Sequence, residues 1–196
     1  MKTQTDRSRR DGIKPALQKT WIALARKEGT EKITVQKLCQ KTPVSRSSFY
    51  AAFSNLKDLE EWIEEAFFAG LQAGSLTGTF YKTNLRKKTP DEYQHFFCRL
   101  LGYLKQNQDL LELLLIEQPD PAFTDRWSLL IDHHLCLRYP NCLPGSGSSF
   151  LRQSLPSILL DLYRTWLTDP ALEAASCAKT ITEMVFSLDS LLKKPV

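Results

Sequence analysis

Residues 44–59 read VSRSSFYAAFSNLKDL, and the order of residue types in this stretch decides the organisation of the first third of the chain. Ser45 is a residue type that caps a helix by accepting a hydrogen bond from a backbone amide of the first turn. Phe49 and Phe53 follow at i,i+4 spacing, one above the other on a single helical face. Arg46, Ser47, Tyr50, Ala51 and Ser54 then share the opposite face. One side of the helix is therefore an aromatic anchor, and the other offers a cation, short hydroxyls and a phenol. Its small residues let such a helix sink into a groove. There Arg46 can reach a guanine edge with two donors, Ser47 and Ser48 can meet bases or sugar oxygens, and Tyr50 can donate to a phosphate.

The segments before and after it are helical as well. Ile13, Leu17, Trp21, Leu24 and Ala25 keep helical spacing, and Gly29 is a natural stop. Pro15 fits best in a first turn, so the regular helix is expected to start near Lys14, behind a loose basic arm. Thr34 is placed to cap a second helix over ITVQKLCQKT (33–42), whose core contact is Leu38, and Pro43 interrupts it. A fourth helix runs through Leu56, Leu59, Ile63, Ala66 and Phe67. Three short helices with a tight break between the last two make a helix-turn-helix. The helix starts at Thr34 and Ser45 also present amides that suit phosphate oxygens.

Charge agrees with this reading. The chain of 196 residues carries a net +4, but residues 1–60 hold 13 Lys/Arg against 6 Asp/Glu, and residues 61–196 hold 13 against 16. A basic end on a mildly acidic body points to a polyanion as partner of the first module. The apolar share of 42% is that of a globular protein, and a chain of this size buries about 70% of its unfolded surface without staples. The cysteines (Cys39, Cys98, Cys136, Cys142, Cys177) are odd in number and lack CxxC spacing, which favours reduced thiols in a cytoplasmic protein, and a polyanion-binding module would make it nucleoid-associated. The start MKTQTDRSRRDG has no apolar run behind its charges, so no secretory signal is expected. No apolar stretch reaches the roughly 18–20 residues that a membrane span needs.

Beyond residue 56 the spacing predicts further helices: PDEYQHFFCRLLGYLKQ, DLLELLLIEQ, DPAFTDRWSLLIDHHLCLRY, SFLRQSLPSILLDLYRTWL and a last one near 170–193. PGSGSS (144–149) reads as a flexible loop. Leu159 to Leu167 is apolar over more than one face, as burial against a second chain would require. The DHHLC run (Asp132, His133, His134, Cys136) invites a metal reading. Adjacent histidines on a helix diverge by about 100°, however, so no metal site is expected. Gly-rich phosphate loops, nucleophile motifs and paired carboxylates among aromatics are lacking, so neither an enzyme nor a bound cofactor is expected.

Residues 13–67 resemble the DNA-binding domain of the tetracycline-repressor (TetR) family. Gly29, Thr34, Val35, Leu38, Val44, Ser45, Phe49, Tyr50, Phe53 and Leu59 match its pattern. The chain departs from that pattern at Thr42-Pro43, where the family has Ala-Gly. It departs again at Ala51-Ala52, often basic or histidine in the family, and at Leu56, where the family's lysine falls one place earlier than Lys57.

The resemblance implies an all-α protein. It would have a basic arm (1–12), a three-helix helix-turn-helix domain (13–55) and a helical effector-binding and dimerisation domain (56–196). It implies a homodimer formed through the last two helices on a pseudo-palindromic double-stranded DNA operator, released by a small-molecule effector. Thr34, Ser45, Arg46, Ser47, Ser48, Tyr50 and Lys57 would face DNA. Phe96, Phe97, Leu100, Tyr103, Leu104, Leu114, Trp127, Ile131 and Tyr163 would line the effector pocket. The reduced set of phosphate-contacting residues keeps a second reading open: a TetR-like protein-interaction module or co-activator with weak or no DNA binding.

Overall fold

The computed structural model describes residues 2–73, 87–140, 142 and 146–192. Every regular element among them is helical. The chain divides into two compact units, Met1–Phe68 and Ala69–Val196. Leu56–Phe68 therefore groups with the first unit, although the expected boundary at 56 puts it in the second.

In the first unit, α1 (Lys2–Glu28) starts well before Lys14 and runs through Pro15. This corrects the expected loose arm. A proline in a helix interior removes one hydrogen bond but leaves its own φ helical, so the backbone can continue across it. The helix stops at Gly29, the one positive-φ residue among those described (φ 89°). A Cβ there would lie 2.6 Å from the Glu31 carboxylate. A short 3-10 turn (Thr30–Lys32) leads to α2 (Val35–Lys41). α3 covers Arg46–Ala52, and α4 covers Leu56–Gln72.

The core of this unit forms from Leu17, Trp21, Leu38, Phe49, Phe53, Leu59 and Ile63, all buried. Phe49 and Phe53 sit 5.8 Å apart between ring centres, and Phe53 also meets Trp62 at 5.9 Å. Glu60 accepts the Trp21 indole N–H at 3.1 Å, tying α1 to α4. Asn55 accepts from the Asp58 amide at 3.0 Å while Asp58 accepts from the Ser54 amide at 2.9 Å. That pair starts α4, and the hydrogen bonds from Ser54 hold the Asp58 carboxyl below its usual pKa.

The second unit contains α5 (Pro90–Gln106), α6 (Gln108–Glu112), a π-helical continuation (Leu113–Glu117), α7 (Pro121–Arg138), α8 (Gly147–Thr168) and α9 (Ala174–Leu192). Asp91 and Glu92 fall in the first turn of α5 as expected. The start itself is a reciprocal cap, in which Thr89 accepts from the Glu92 amide and Glu92 accepts from the Thr89 amide at 2.8 Å. α8 begins inside the stretch expected to be loop. Ser146 accepts from the Ser149 amide at 3.1 Å, and Gly147–Ser149 are helical. A serine ahead of two more serines carries its own capping chemistry, which composition alone reads as flexibility. Pro144 and Gly145 lie outside the described residues. α9 packs along α5 and α8 along α7. No helix among the described residues is long and apolar enough to cross a membrane.

Candidate functional site

The surface of the first unit that can meet a partner is set by the capping of α2 and α3. Thr34 accepts from the Lys37 amide at 3.2 Å, and Ser45 accepts from the Ser48 amide at 3.1 Å. Both caps stand where the sequence put them. Between the helices, Thr42 is extended (φ −114°, ψ 151°), its amide bonded to the Leu38 carbonyl at 3.1 Å and its hydroxyl to the same oxygen at 2.6 Å. Proline disfavours the helical region for the residue before it, so Thr42-Pro43 ends α2 without the left-handed residue that glycine would supply.

With Phe49 fully buried, α3 turns Arg46, Ser47, Tyr50 and Ala51 outward. Tyr50 is 57% exposed and meets Phe49 edge-on at 5.4 Å. The Ser48 hydroxyl lies 2.9 Å from the Ser45 hydroxyl, so part of its bonding capacity is spent on the cap. Ser47 lies equally close to Ser45 but is exposed. Lys57 sits 3.7 Å from Glu61, both in solvent. Lys37 is bound to the Glu28 carboxylate at 2.8 Å and to the Lys32 carbonyl, and it holds the Glu28 carboxyl below its usual pKa.

The second unit contains a cavity of about 80 Å³. Phe96, Phe97, Leu100, Trp127, Ile131 and Tyr163, six of the residues expected at an effector pocket, line it. Tyr103, Leu104 and Leu114 do not. The Tyr103 hydroxyl lies against Gly70, where an added Cβ would come within 2.1 Å of it. Leu104 and Leu114 are buried in ordinary core.

Sequence reasoning missed the wall formed by Leu71, Tyr93, Leu130, His134, Leu135, Arg138, Leu159 and Val185. Arg138 matters most among these. It is 3% exposed and donates to both Asp189 oxygens (2.9 and 2.8 Å), to the Tyr93 hydroxyl (2.6 Å) and to the Tyr139 hydroxyl (3.0 Å). Tyr139 in turn donates toward Asp189 at 2.9 Å. Burial pushes Tyr93 up to about 12 and raises Tyr139 as well, against the lowering effect of Arg138. One signal was available. Val185, Asp189 and Leu192 fall on one stripe of α9, and a carboxylate in a buried stripe demands a cation.

The DHHLC run forms no metal cluster, and no group of three or more candidate ligands occurs among the described residues. Asp132 is paired with Arg152, whose guanidinium also lies 3.1 Å from the Cys136 sulfur. His133 is exposed and His134 faces the cavity.

No protein-family profile matches the chain, and no curated protein does. Among solved structures the chain is similar to a TetR transcriptional regulator from Streptococcus agalactiae 2603V. That similarity has a TM-score of 0.63 and 24% identity, over 94% of this chain and 99% of the other. The chain has a TetR-like fold. The agreement extends over both units, so the helical second unit belongs to the TetR-like plan as much as the helix-turn-helix does.

Proposed function

We propose that the protein is a DNA-binding transcriptional regulator, a repressor that holds a pseudo-palindromic operator as a homodimer and is released by a small molecule. One observation carries this reading. A short helix, locked by its Ser45 cap and the buried Phe49–Phe53 pair, presents Arg46, Ser47, Tyr50 and Ala51 to solvent within a TetR-like fold. Arg46 would read a guanine edge. Tyr50 and the amides at the starts of α2 and α3, including those at Thr34 and Ser45, would hold phosphates.

The dimer would form through α8 and α9. Phe150 (74% exposed), Ile158 and Leu162 on α8 and Leu191 on α9 are large apolar side chains left in water. Two-fold symmetry would set the α3 helices about 34–36 Å apart, or a multiple of that. The cavity of the second unit is the effector site in this reading. α4 carries residues of both units, with Leu59 and Ile63 in the first core and Leu71 on the cavity wall. A molecule favouring one arrangement of α4 would shift the population of DNA-competent dimers.

Fluorescence anisotropy on the DNA flanking its own gene tests the proposal. Specific, salt-sensitive binding is expected, and Arg46→Ala combined with Tyr50→Phe should weaken it. Unchanged binding by that variant, or no specific binding at low salt, counts against it.

A second reading, a protein-interaction module, rests on the thin supply of cations beside α3. Lys57 stands beside Glu61, Lys37 is held by Glu28, and Ala51-Ala52 supply no charge. Capture of a defined regulator without salt-sensitive DNA affinity would favour it.

A further inference from the structure

The walls of the second-unit cavity contain one permanently charged group, and it is already neutralised. Arg138 has its charge met by both Asp189 oxygens, and Asp189 itself is only 17% exposed. Its Nε donates to Tyr139 and its Nη1 to Tyr93, and its guanidinium carbon lies over the Tyr93 and Phe186 rings at 4.5 and 5.1 Å.

The titratable neighbours add no charge at neutral pH. Burial, helped by His133, lowers His134 to about 4, so its imidazole is neutral. Burial keeps the Tyr93 and Tyr163 phenols protonated. The remaining wall is apolar, led by Phe96, Phe97, Trp127 and Ile131.

One polar group is left over. Tyr163 is buried, stacks on Trp127 with ring centres 5.7 Å apart, and lines the cavity. Its hydroxyl makes no hydrogen bond among the described residues. A hydroxyl without a protein partner on a cavity wall can take up a hydrogen bond with a guest.

We propose that this cavity takes a small, uncharged, largely apolar molecule with one hydrogen-bonding group, which Tyr163 engages, and rejects anions of the same size. The inference rests on the reading of the cavity as the effector site. An anion would have to shed its water against a wall with no net charge, or draw Arg138 away and leave the Asp189 carboxylate buried and unpaired. Both are unfavourable. The cavity of about 80 Å³ is smaller than the roughly 150 Å³ void known to take benzene, so a ring-sized guest must shift wall side chains as it enters.

The test is calorimetry at pH 7.5 on the full chain with three probes of one shape: benzyl alcohol, benzoate and benzylamine. Benzyl alcohol is expected to bind, with both charged probes about tenfold or more weaker. Tyr163→Phe should cost benzyl alcohol about fivefold, the loss of one hydrogen bond, and Ile131→Trp, which fills the cavity, should abolish binding. Asp189→Asn, with folding checked by circular dichroism, should shift preference toward benzoate by leaving Arg138 uncompensated.

Benzoate binding as tightly as benzyl alcohol to the unmodified protein, binding that survives Ile131→Trp, or no binding of any probe would overturn the proposal. Anisotropy on operator DNA separates the two ideas. A neutral probe that binds without altering DNA affinity removes the effector reading but leaves the ligand class. An anion that binds and releases DNA removes the ligand class but leaves the effector reading.

Discussion

The two units reach a buried core by different routes. In Met1–Phe68 the decisive interactions are short in sequence: Ser45 to Ser48, Thr34 to Lys37, Phe49 to Phe53, Asn55 to Asp58. In Ala69–Val196 the decisive polar interaction joins Arg138 to residues 45 and 51 positions away, Tyr93 and Asp189. Local caps set helix ends one at a time, and losing one costs little beyond its own turn. A buried ion pair joins several elements at once, and losing one partner strands a charge.

The contrast predicts unequal penalties. Asp189→Ala should destabilise the second unit by about 3–5 kcal/mol, read by urea denaturation, because Arg138 would stay buried without its carboxylate. Replacing both partners together, Arg138→Met with Asp189→Leu, should recover most of that loss. If the single and double variants are equally unstable, the ion pair is not what holds these helices.

A pH effect of intermediate size should come from His134. Its pKa is about 4 when folded and near 6.5 when unfolded, so the unfolded chain binds the extra proton between these values. Stability should therefore be complete above about pH 6.5 and fall as the pH is lowered toward 4. The slope should not exceed about 1.4 kcal/mol per unit, and should be smaller to the extent that the ring still meets water. His134→Gln should flatten this segment of a Tm–pH profile, whereas His133→Gln, on an exposed ring, should not.

Smaller again, Ser45→Ala should cost about 1 kcal/mol of stability, confined to the first unit. Local amide exchange in α3 would report it while the second unit stays unchanged. The smallest effect is expected from Lys57→Ala. Its pairing with Glu61 is loose and exposed. Stability should barely move, and the slope of DNA affinity against salt should fall by no more than about one unit, the share of a single phosphate contact.

Much of the first unit is legible in its amino-acid order. Thr34 and Ser45 stand at the helix starts that their chemistry demands, and Phe49 and Phe53 face inward because i,i+4 spacing leaves no other arrangement. The turn at Thr42-Pro43 is legible only as a departure. That its backbone ends α2 in an extended conformation is a matter of geometry. The start of α1 is not legible, because Pro15 reads as a boundary, while a helix can pass a proline at the loss of one hydrogen bond. The aromatic part of the cavity wall is legible too, since Phe96, Phe97, Trp127 and Tyr163 follow helical stripes. Tyr103 is not separable from them, because its stripe does not disclose that Gly70 receives it.

Helix identity, capping and the outward face of α3 follow from residues within four positions of one another, so an amino-acid string carries them directly. The partnership of Arg138 with Asp189, the unspent hydroxyl of Tyr163 and the cavity's lack of net charge arise from chain segments brought together across tens of residues. Spacing along one helix says which way a side chain points, and only the packing of several helices says what it meets there.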